Sequence, residues 1–287
     1  MYNATLNGII EQKLQRLIEW FKLKDKVLVA LSGGVDSSVV AAVAKLALND
    51  GVIAATSSSE IIDPKDLEDA IKITKLLGIR HIIFKTEELK NPLFTSNPLN
   101  RCYYCKKELS IKLKQIAEKE GIKTIVDGTN ADDTNTYRPG VIALCEEGIY
   151  SPLAEVGISK DEVRKIAILL NLPNADKPSN ACLSSRIPYG QSITIESIRR
   201  IAEAERVIRE LTNVKVLRVR DHDGIARIEV GKDERKKLFD EKLMEIIDAK
   251  LKELGFKYVT IDLIGYRTGS MDEILFERII PSKNLKS

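Results

Sequence analysis

One short segment combines two glycines with a carboxylate and three hydroxyl groups, and it reads Ser32-Gly33-Gly34-Val35-Asp36-Ser37-Ser38. It follows the apolar run 27–31 and precedes the apolar run 39–43, so the pattern predicts a strand, a tight turn and a helix. The first N–H groups of a helix lack partners and its dipole attracts negative charge, while Ser37 and Ser38 add donors. The segment therefore predicts an anion site.

The segment differs from the common phosphate loop, which has four residues between its glycines and then Lys-Ser or Lys-Thr. No lysine stands at the matching place. The pattern Ser-Gly-Gly-x-Asp-Ser resembles instead the loop of the PP-loop ATP pyrophosphatases, which cleave ATP between the α and β phosphates. This resemblance implies adenylation of a substrate, with Mg²⁺ between the phosphates and Asp36 as a candidate contact.

The four cysteines suggest a second kind of chemistry. Cys102 and Cys105 lie one turn apart at the start of a predicted helix with three basic neighbours, which favours thiolates. Two thiolates complete neither a zinc site nor a four-iron cluster, and Cys182, in a polar loop, is the natural third ligand. Cys145 lies in a half-apolar segment and is expected in the core.

Composition limits the class of protein. The 287 residues suffice for two modest domains, and 44% hydrophobic with 30% charged residues is typical of a globular chain. A net charge of +3 provides no strong field for nucleic acid, so such a partner is not expected. The sequence contains neither a bilayer-length apolar run nor a secretory signal at its start, and we expect a cytoplasmic protein without membrane contact.

The first part of the chain alternates strands with helices, which predicts a doubly wound parallel α/β sheet. In such sheets ligands bind beyond the carboxyl ends of the strands, where strand order reverses. The loops after Leu31, Ala55 and Val126 should share one crevice, and Ser57 and Gly128 are therefore candidate ATP contacts. The predicted strands are 27–31, 52–55, 82–84 and 124–126, and the helices are 5–22, 63–78, 106–120 and 159–170.

The second part predicts a smaller α+β domain, with helices 195–211 and 234–254 and strands 214–219, 225–230 and 258–263. We place the domains at 1–190 and 191–287 and expect the second to bind substrate or to mediate oligomerisation. Arg218 and Arg220 alternate onto one strand face and, with Arg186, are candidates to hold a substrate phosphate through their planar forks. A solvated strand face is the alternative interpretation of this pair.

Taken together, the motifs resemble the LarE family over nearly the whole chain. LarE proteins are ATP-dependent sulfur transferases of the nickel-pincer nucleotide pathway, and the family suggests a homo-oligomer. The resemblance implies that ATP adenylates a carboxylate of pyridinium-3,5-biscarboxylic acid mononucleotide, a small nucleotide, and that sulfur then displaces AMP. The matching segments are 32–38, 101–107, 127–133, 137–140, 151–153, 177–190 and 217–222.

The cysteines depart from the best-known members of that family, which carry a lone cysteine at the position of Cys182. Those members lose its sulfur in one turnover and leave dehydroalanine. Here Cys102 and Cys105 are added, and three thiolates would hold a [4Fe-4S] cluster with one iron free for exogenous sulfide. This hypothesis requires Cys182 to approach the pair in space; sacrificial transfer from Cys182 is the alternative.

Two other functions fit parts of the pattern. Some tRNA thiolation enzymes combine a PP-loop with a three-cysteine cluster, but they usually carry an additional RNA-binding or zinc-ribbon module, and this chain is nearly neutral with only one Cys-x-x-Cys pair. A non-catalytic ATP or iron–sulfur sensing module is the other candidate. The retained Asp36 and Ser37 and the Cys182 loop argue against it.

Overall fold

The computed structural model describes residues 2–134, 138–267 and 271, with the side chains of residues 2–7 excepted. Tyr137 of the motif at 137–140 lies outside the described residues. The chain divides into two compact units, Met1–Asn180 and Ala181–Ser287. No helix among the described residues is long and apolar enough to cross a membrane.

A four-stranded parallel sheet forms the centre of the first unit. Its strands are β1 (Val27–Ala30), β2 (Val52–Ser58), β3 (Arg80–Lys85) and β4 (Thr124–Val126), in the order β3-β2-β1-β4. The chain moves outward from β1 to β3 and then returns to place β4 on the other side of β1. Strand order therefore reverses between β1 and β4, and the predicted doubly wound parallel sheet is confirmed.

Helices cover both faces of this sheet because β1 points alternate apolar residues in opposite directions. Val27 and Val29 belong to a core cluster with residues of the first, second and ninth helices, whereas Leu28 packs in a separate cluster with Leu113 and Leu144. The helices of this unit are α1 (Tyr2–Lys22), α2 (Val35–Leu48), α3 (Pro64–Leu77), α4 (Pro92–Thr95), α5 (Arg101–Lys119), α6 (Ala131–Thr134), α7 (Pro139–Glu146), α8 (Pro152–Val156) and α9 (Lys160–Leu169).

Two helix starts follow their local sequence closely. Asp63 accepts a hydrogen bond from the backbone N–H of Lys65, with Pro64 in the first turn of α3. Ser159 and Glu162 form the expected capping box at the start of α9. These caps fix the first residues of α3 and α9, both of which contribute to the site described below.

The second unit contains a three-stranded sheet in the order β5-β6-β7, with β5 antiparallel and β7 parallel to β6. The expectation of one helix over 234–254 was wrong. A 3₁₀ segment spans Lys232–Leu238, and the last helix begins after Asp240, which accepts a hydrogen bond from the N–H of Leu243. The elements are α10 (Ile195–Thr212), β5 (Leu217–His222), β6 (Ile225–Val230), α11 (Glu241–Glu253) and β7 (Tyr258–Ile261).

Candidate active site

The predicted anion loop connects the end of β1 to the start of α2. Gly33 has a φ of +75°, and a Cβ at this position would lie 2.0 Å from the carbonyl oxygen of Asp66 in α3. Gly34 is the N-cap residue of α2. Because it has no side chain, no side-chain cap accepts hydrogen bonds from the first N–H groups of the helix. The Ser37 hydroxyl accepts the N–H of Ser32 at 3.1 Å, and Ser38 donates to the Gly34 carbonyl at 2.8 Å. The serine hydroxyls thus shape the loop.

The loop after β4 lies directly against the start of α2. A Cβ on Gly128 would be only 2.6 Å from the backbone nitrogen of Ser37, so the two backbones touch at this point. At the neighbouring strand end, the Ser57 hydroxyl lies 2.5 Å from that of Thr86. The structure therefore brings Gly128 to the anion loop, and it places Ser57 at the carboxyl end of β2.

Asp36 and Lys160 form an ion pair at the mouth of this loop, across 124 residues of sequence. Both side chains are half-buried, and Asn130 also donates to the Asp36 carboxylate at 3.4 Å. The backbone N–H of Lys160 donates to Asp132 at 2.8 Å, which fixes the first residue of α9. Sequence reasoning missed Lys160: the capping box located the start of α9, but no local signal pairs that helix with Asp36.

Lys177 connects the backbone of the anion loop to α3. Its ammonium group donates to the Gly33 carbonyl at 3.1 Å and pairs with Asp66 at 2.7 Å and Asp69 at 2.6 Å. Burial alone would lower the pKa of Lys177, but the two carboxylates raise it above its usual range. Lys177 therefore stays charged and ties the loop to α3.

Cys102 and Cys105 lie in the first turns of α5, as predicted, with Cys102 exposed and Cys105 half-buried. The Cys105 thiol is 3.8 Å from a carboxylate oxygen of Glu88, and burial raises the pKa of Glu88. Lys107, one of the three basic neighbours, pairs with Glu146 at 2.8 Å and with Glu147 at 2.7 Å, so carboxylates already balance its charge.

The expectation that Cys145 belongs to the core was wrong, because its side chain is exposed. The short helix α7 buries Ala143 and Leu144. Cys145 follows Leu144 by one residue, about 100° further around the helix, and therefore points away from the buried side.

Cys182 lies in the second unit, where it is half-buried and precedes a 3₁₀ turn, Leu183–Arg186. Arg186 is fully buried and makes a two-pronged ion pair with Glu205, with N···O distances of 2.9 and 3.1 Å. This contact places the Cys182 turn against α10.

Arg218 and Arg220 share one face of β5 and are each only 5% exposed, so this is not a solvated strand face. Arg220 binds one carboxylate oxygen of Glu229 through two nitrogens, at 3.0 and 2.8 Å. The Arg218 guanidinium lies 5.1 Å from the centroid of the Tyr266 ring. Burial, and then the charge of Arg186, lower the pKa of Arg218 to about 10. An anion bound beside Arg218 would therefore stabilise the charged guanidinium.

Across residues 2–134, 138–267 and 271, no group of three or more His, Cys, Asp or Glu side chains is arranged to hold a metal ion.

Comparisons with known proteins place the chain in context. Residues 7–100 match the family model of NAD synthase. The chain is 43% identical to an uncharacterized protein of Synechocystis, over 93% of this chain and 99% of that protein. It is 34% identical to the pyridinium-3,5-bisthiocarboxylic acid mononucleotide synthase of Lactiplantibacillus plantarum, over 92% and 95%. An uncharacterized protein of Methanocaldococcus jannaschii is also 34% identical, over 92% and 98%.

The close approach at Gly33 can be tested with two matched glycine substitutions. Gly33→Ala places a methyl group on the Asp66 carbonyl, and we expect it to abolish ATP binding. Gly78→Ala has a similar positive φ but open space around it, so it should cost only about 1 kcal/mol of stability and leave ATP binding intact. Calorimetric titration with ATP and thermal unfolding measure both effects. Equal ATP affinity in the two variants would contradict the role of Gly33.

Proposed function

Because the chain belongs to the LarE family of ATP-dependent sulfur transferases, we propose that it replaces a carboxylate oxygen of pyridinium-3,5-biscarboxylic acid mononucleotide by sulfur. The observation that carries this proposal is the convergence of the anion loop, Gly128 and the Asp36–Lys160 pair at the point where strand order reverses. We infer the substrate from the name of the relative in Lactiplantibacillus plantarum, which specifies the corresponding bisthiocarboxylate.

The proposed chemistry explains the need for ATP. A carboxylate is a poor electrophile because its negative charge repels a sulfur nucleophile. In the first step a carboxylate oxygen of the substrate attacks the α-phosphorus of ATP, and pyrophosphate leaves. The product is a mixed anhydride, so sulfur can attack its acyl carbon while AMP leaves with the former carboxylate oxygen.

The loop side chains have distinct roles in this scheme. The N–H groups at the start of α2 bind the leaving pyrophosphate, with Ser32, Ser37 and Ser38 around them. The half-buried Asp36 carboxylate fits a Mg²⁺ ion that keeps most of its ligands from water and phosphate. Lys160 lies within reach of the same phosphates and supplies positive charge where negative charge develops.

Arginines of the second unit fit the substrate's own phosphate. We propose that Arg218 and Arg220 contact it, since both lie on one face of β5 and guanidinium groups match phosphate geometry. Arg186, the third candidate from the sequence, is buried in its pair with Glu205, and we give it no direct contact with the phosphate.

The source of sulfur divides the proposal into two routes. In the first route Cys102 and Cys105, one helical turn apart at the start of α5, would supply two ligands of a [4Fe-4S] cluster, and Cys182 would supply the third. Such a cluster would supply an iron without a protein ligand, to which exogenous sulfide could bind. In the other route the Cys182 thiolate attacks the acyl carbon as AMP leaves. Loss of the Cys182 α-proton then breaks its Cβ–Sγ bond and leaves a thiocarboxylate and dehydroalanine.

Anaerobic purification tests both the function and the route. We expect the pure protein to release pyrophosphate from ATP in the presence of the mononucleotide and to form a thiocarboxylate. Mössbauer and absorption spectra with four-iron signatures, together with an intact Cys182 peptide in mass spectra after turnover, favour the cluster. A Cys182 peptide lacking the mass of H₂S favours the sacrificial route.

The proposed function fails if no pyrophosphate is released with the mononucleotide. Salt-sensitive tRNA binding with tRNA-dependent pyrophosphate release would instead indicate a tRNA thiolation enzyme. Absence of pyrophosphate release with either acceptor, despite ATP binding, would indicate a sensing module.

Lys160 provides a sharper test of the ATP half of the reaction. We expect Lys160→Met to lower kcat/KM for ATP on the order of 10²-fold, because a preorganised donor to the developing charge is lost. Lys13→Met is the matched control, since Lys13 forms a similarly half-buried pair with Glu162 of the same helix, away from Asp36. Pyrophosphate release at varied ATP measures both variants. An equal loss of kcat/KM in the two variants would show that Lys160 has no specific role in the ATP site.

A further inference from the structure

Arg186 makes an unusual set of contacts around Cys182. Its side chain is completely buried, and Nε and Nη2 bind the two carboxylate oxygens of Glu205 at 2.9 and 3.1 Å. Nη1 points the other way and donates to the carbonyl oxygens of Ala181 and Cys182, the latter at 3.0 Å. It also reaches the Ser185 hydroxyl at 3.2 Å. One guanidinium therefore joins the backbone of Cys182 to α10.

Both ends of this connection are fixed independently. Glu205 is 1% exposed, accepts the backbone N–H of Val219 in β5 at 3.1 Å, and pairs with Arg209 at 2.9 Å. On the other side of the turn, Arg220 donates to the Ser185 carbonyl at 2.9 Å while it binds Glu229. The Cys182 turn is thus held by two arginines whose own positions are set by buried carboxylates.

Stability alone does not account for the Arg186–Glu205 pair. Removing two charges from water is costly, and buried ion pairs can often be replaced by apolar residues without loss of stability. Only arginine offers five donors in a rigid plane, so that two bind a carboxylate while others reach carbonyl groups on the opposite side. These contacts hold the Cys182 turn in one orientation relative to α10.

We propose that Arg186 is a positioning residue for Cys182, which aims the Cys182 thiol for the sulfur half of the reaction and leaves the ATP half untouched. The inference rests on the proposed function but applies to either sulfur route, because a cluster ligand and a sulfur donor both need a defined direction. A misplacement of about 1 Å in a reacting group can cost on the order of 10²-fold in rate.

The test separates the two halves of the reaction in the full chain. Arg186→Lys keeps the charge but places its donors on one nitrogen, which cannot bind Glu205 and both carbonyls together. We expect thiocarboxylate formation to fall on the order of 10²-fold, while the first-turnover burst of pyrophosphate at saturating mononucleotide keeps its rate and its dependence on ATP concentration. The matched control is Arg206→Lys on the exposed side of α10, where Arg206 pairs with Glu203 and Glu210. It should change neither rate.

A second variant covers the case in which Arg186→Lys does not fold. Glu205→Gln keeps the shape of the partner but removes its charge, with Glu203→Gln, half-buried on the same helix, as the control. The same loss of sulfur transfer with a retained first-turnover burst of pyrophosphate is expected. Unchanged thiocarboxylate formation in the folded variant, or an equal fall in the first-turnover burst of pyrophosphate, would overturn the positioning role.

A further measurement is independent of the proposed function. The alkylation rate of Cys182 by iodoacetamide, followed by peptide mass spectrometry in the full chain isolated without added iron, reports the exposure and reactivity of the thiol without ATP or substrate. We expect Arg186→Lys to change this rate and Arg206→Lys to leave it alone. Equal alkylation rates in Arg186→Lys and in the unmodified protein would refute the positioning role. If the unmodified protein fails to release pyrophosphate, the proposed function fails, and the alkylation rates still decide this inference.

Discussion

The contact between two backbones at the reversal point of the first sheet is the constraint on which the remaining site geometry depends. Gly128 approaches the Ser37 nitrogen so closely that a Cβ would lie 2.6 Å away, and Gly33 is packed still more tightly against Asp66. Both contacts require strands on either side of β1 to end at the same edge. A parallel sheet with reversed strand order meets that requirement, and it leaves the start of α2 pointing into the crevice.

The elements around this contact were predictable because their signals are local. Apolar runs, the Asp63-Pro64 start and the Ser159–Glu162 capping box mark strands and helices within a few residues. The Lys160–Asp36 pair was not predictable, because it joins residues that only the fold brings together. Cys145 was misjudged for a related reason: in a helix as short as α7, one residue of rotation separates the core from solvent.

In the second unit, too, the sequence alone did not predict the surroundings of the charged residues. Period-2 alternation located Arg218 and Arg220 on one face of β5, but an arginine pair on a strand reads equally as a solvated face. Burial distinguishes the two interpretations, and burial arises from packing of segments distant in sequence, such as Ser185 against Arg220. Buried guanidinium groups are costly unless carboxylates or carbonyl groups match them. Glu229 and the Ser185 carbonyl match Arg220, and Glu205 matches Arg186.

Both units solve the problem of fixing an irregular loop in the same way. Lys177 donates to the Gly33 carbonyl while Asp66 and Asp69 hold its ammonium group, and Arg186 donates to the Cys182 carbonyl while Glu205 holds its guanidinium. A carbonyl in an irregular loop lacks the regular partners of a helix or sheet, and a cation held by carboxylates satisfies it at a defined position. Loops held in this way can present backbone N–H groups or a thiol at a fixed place, which is what activation by ATP and delivery of sulfur each require.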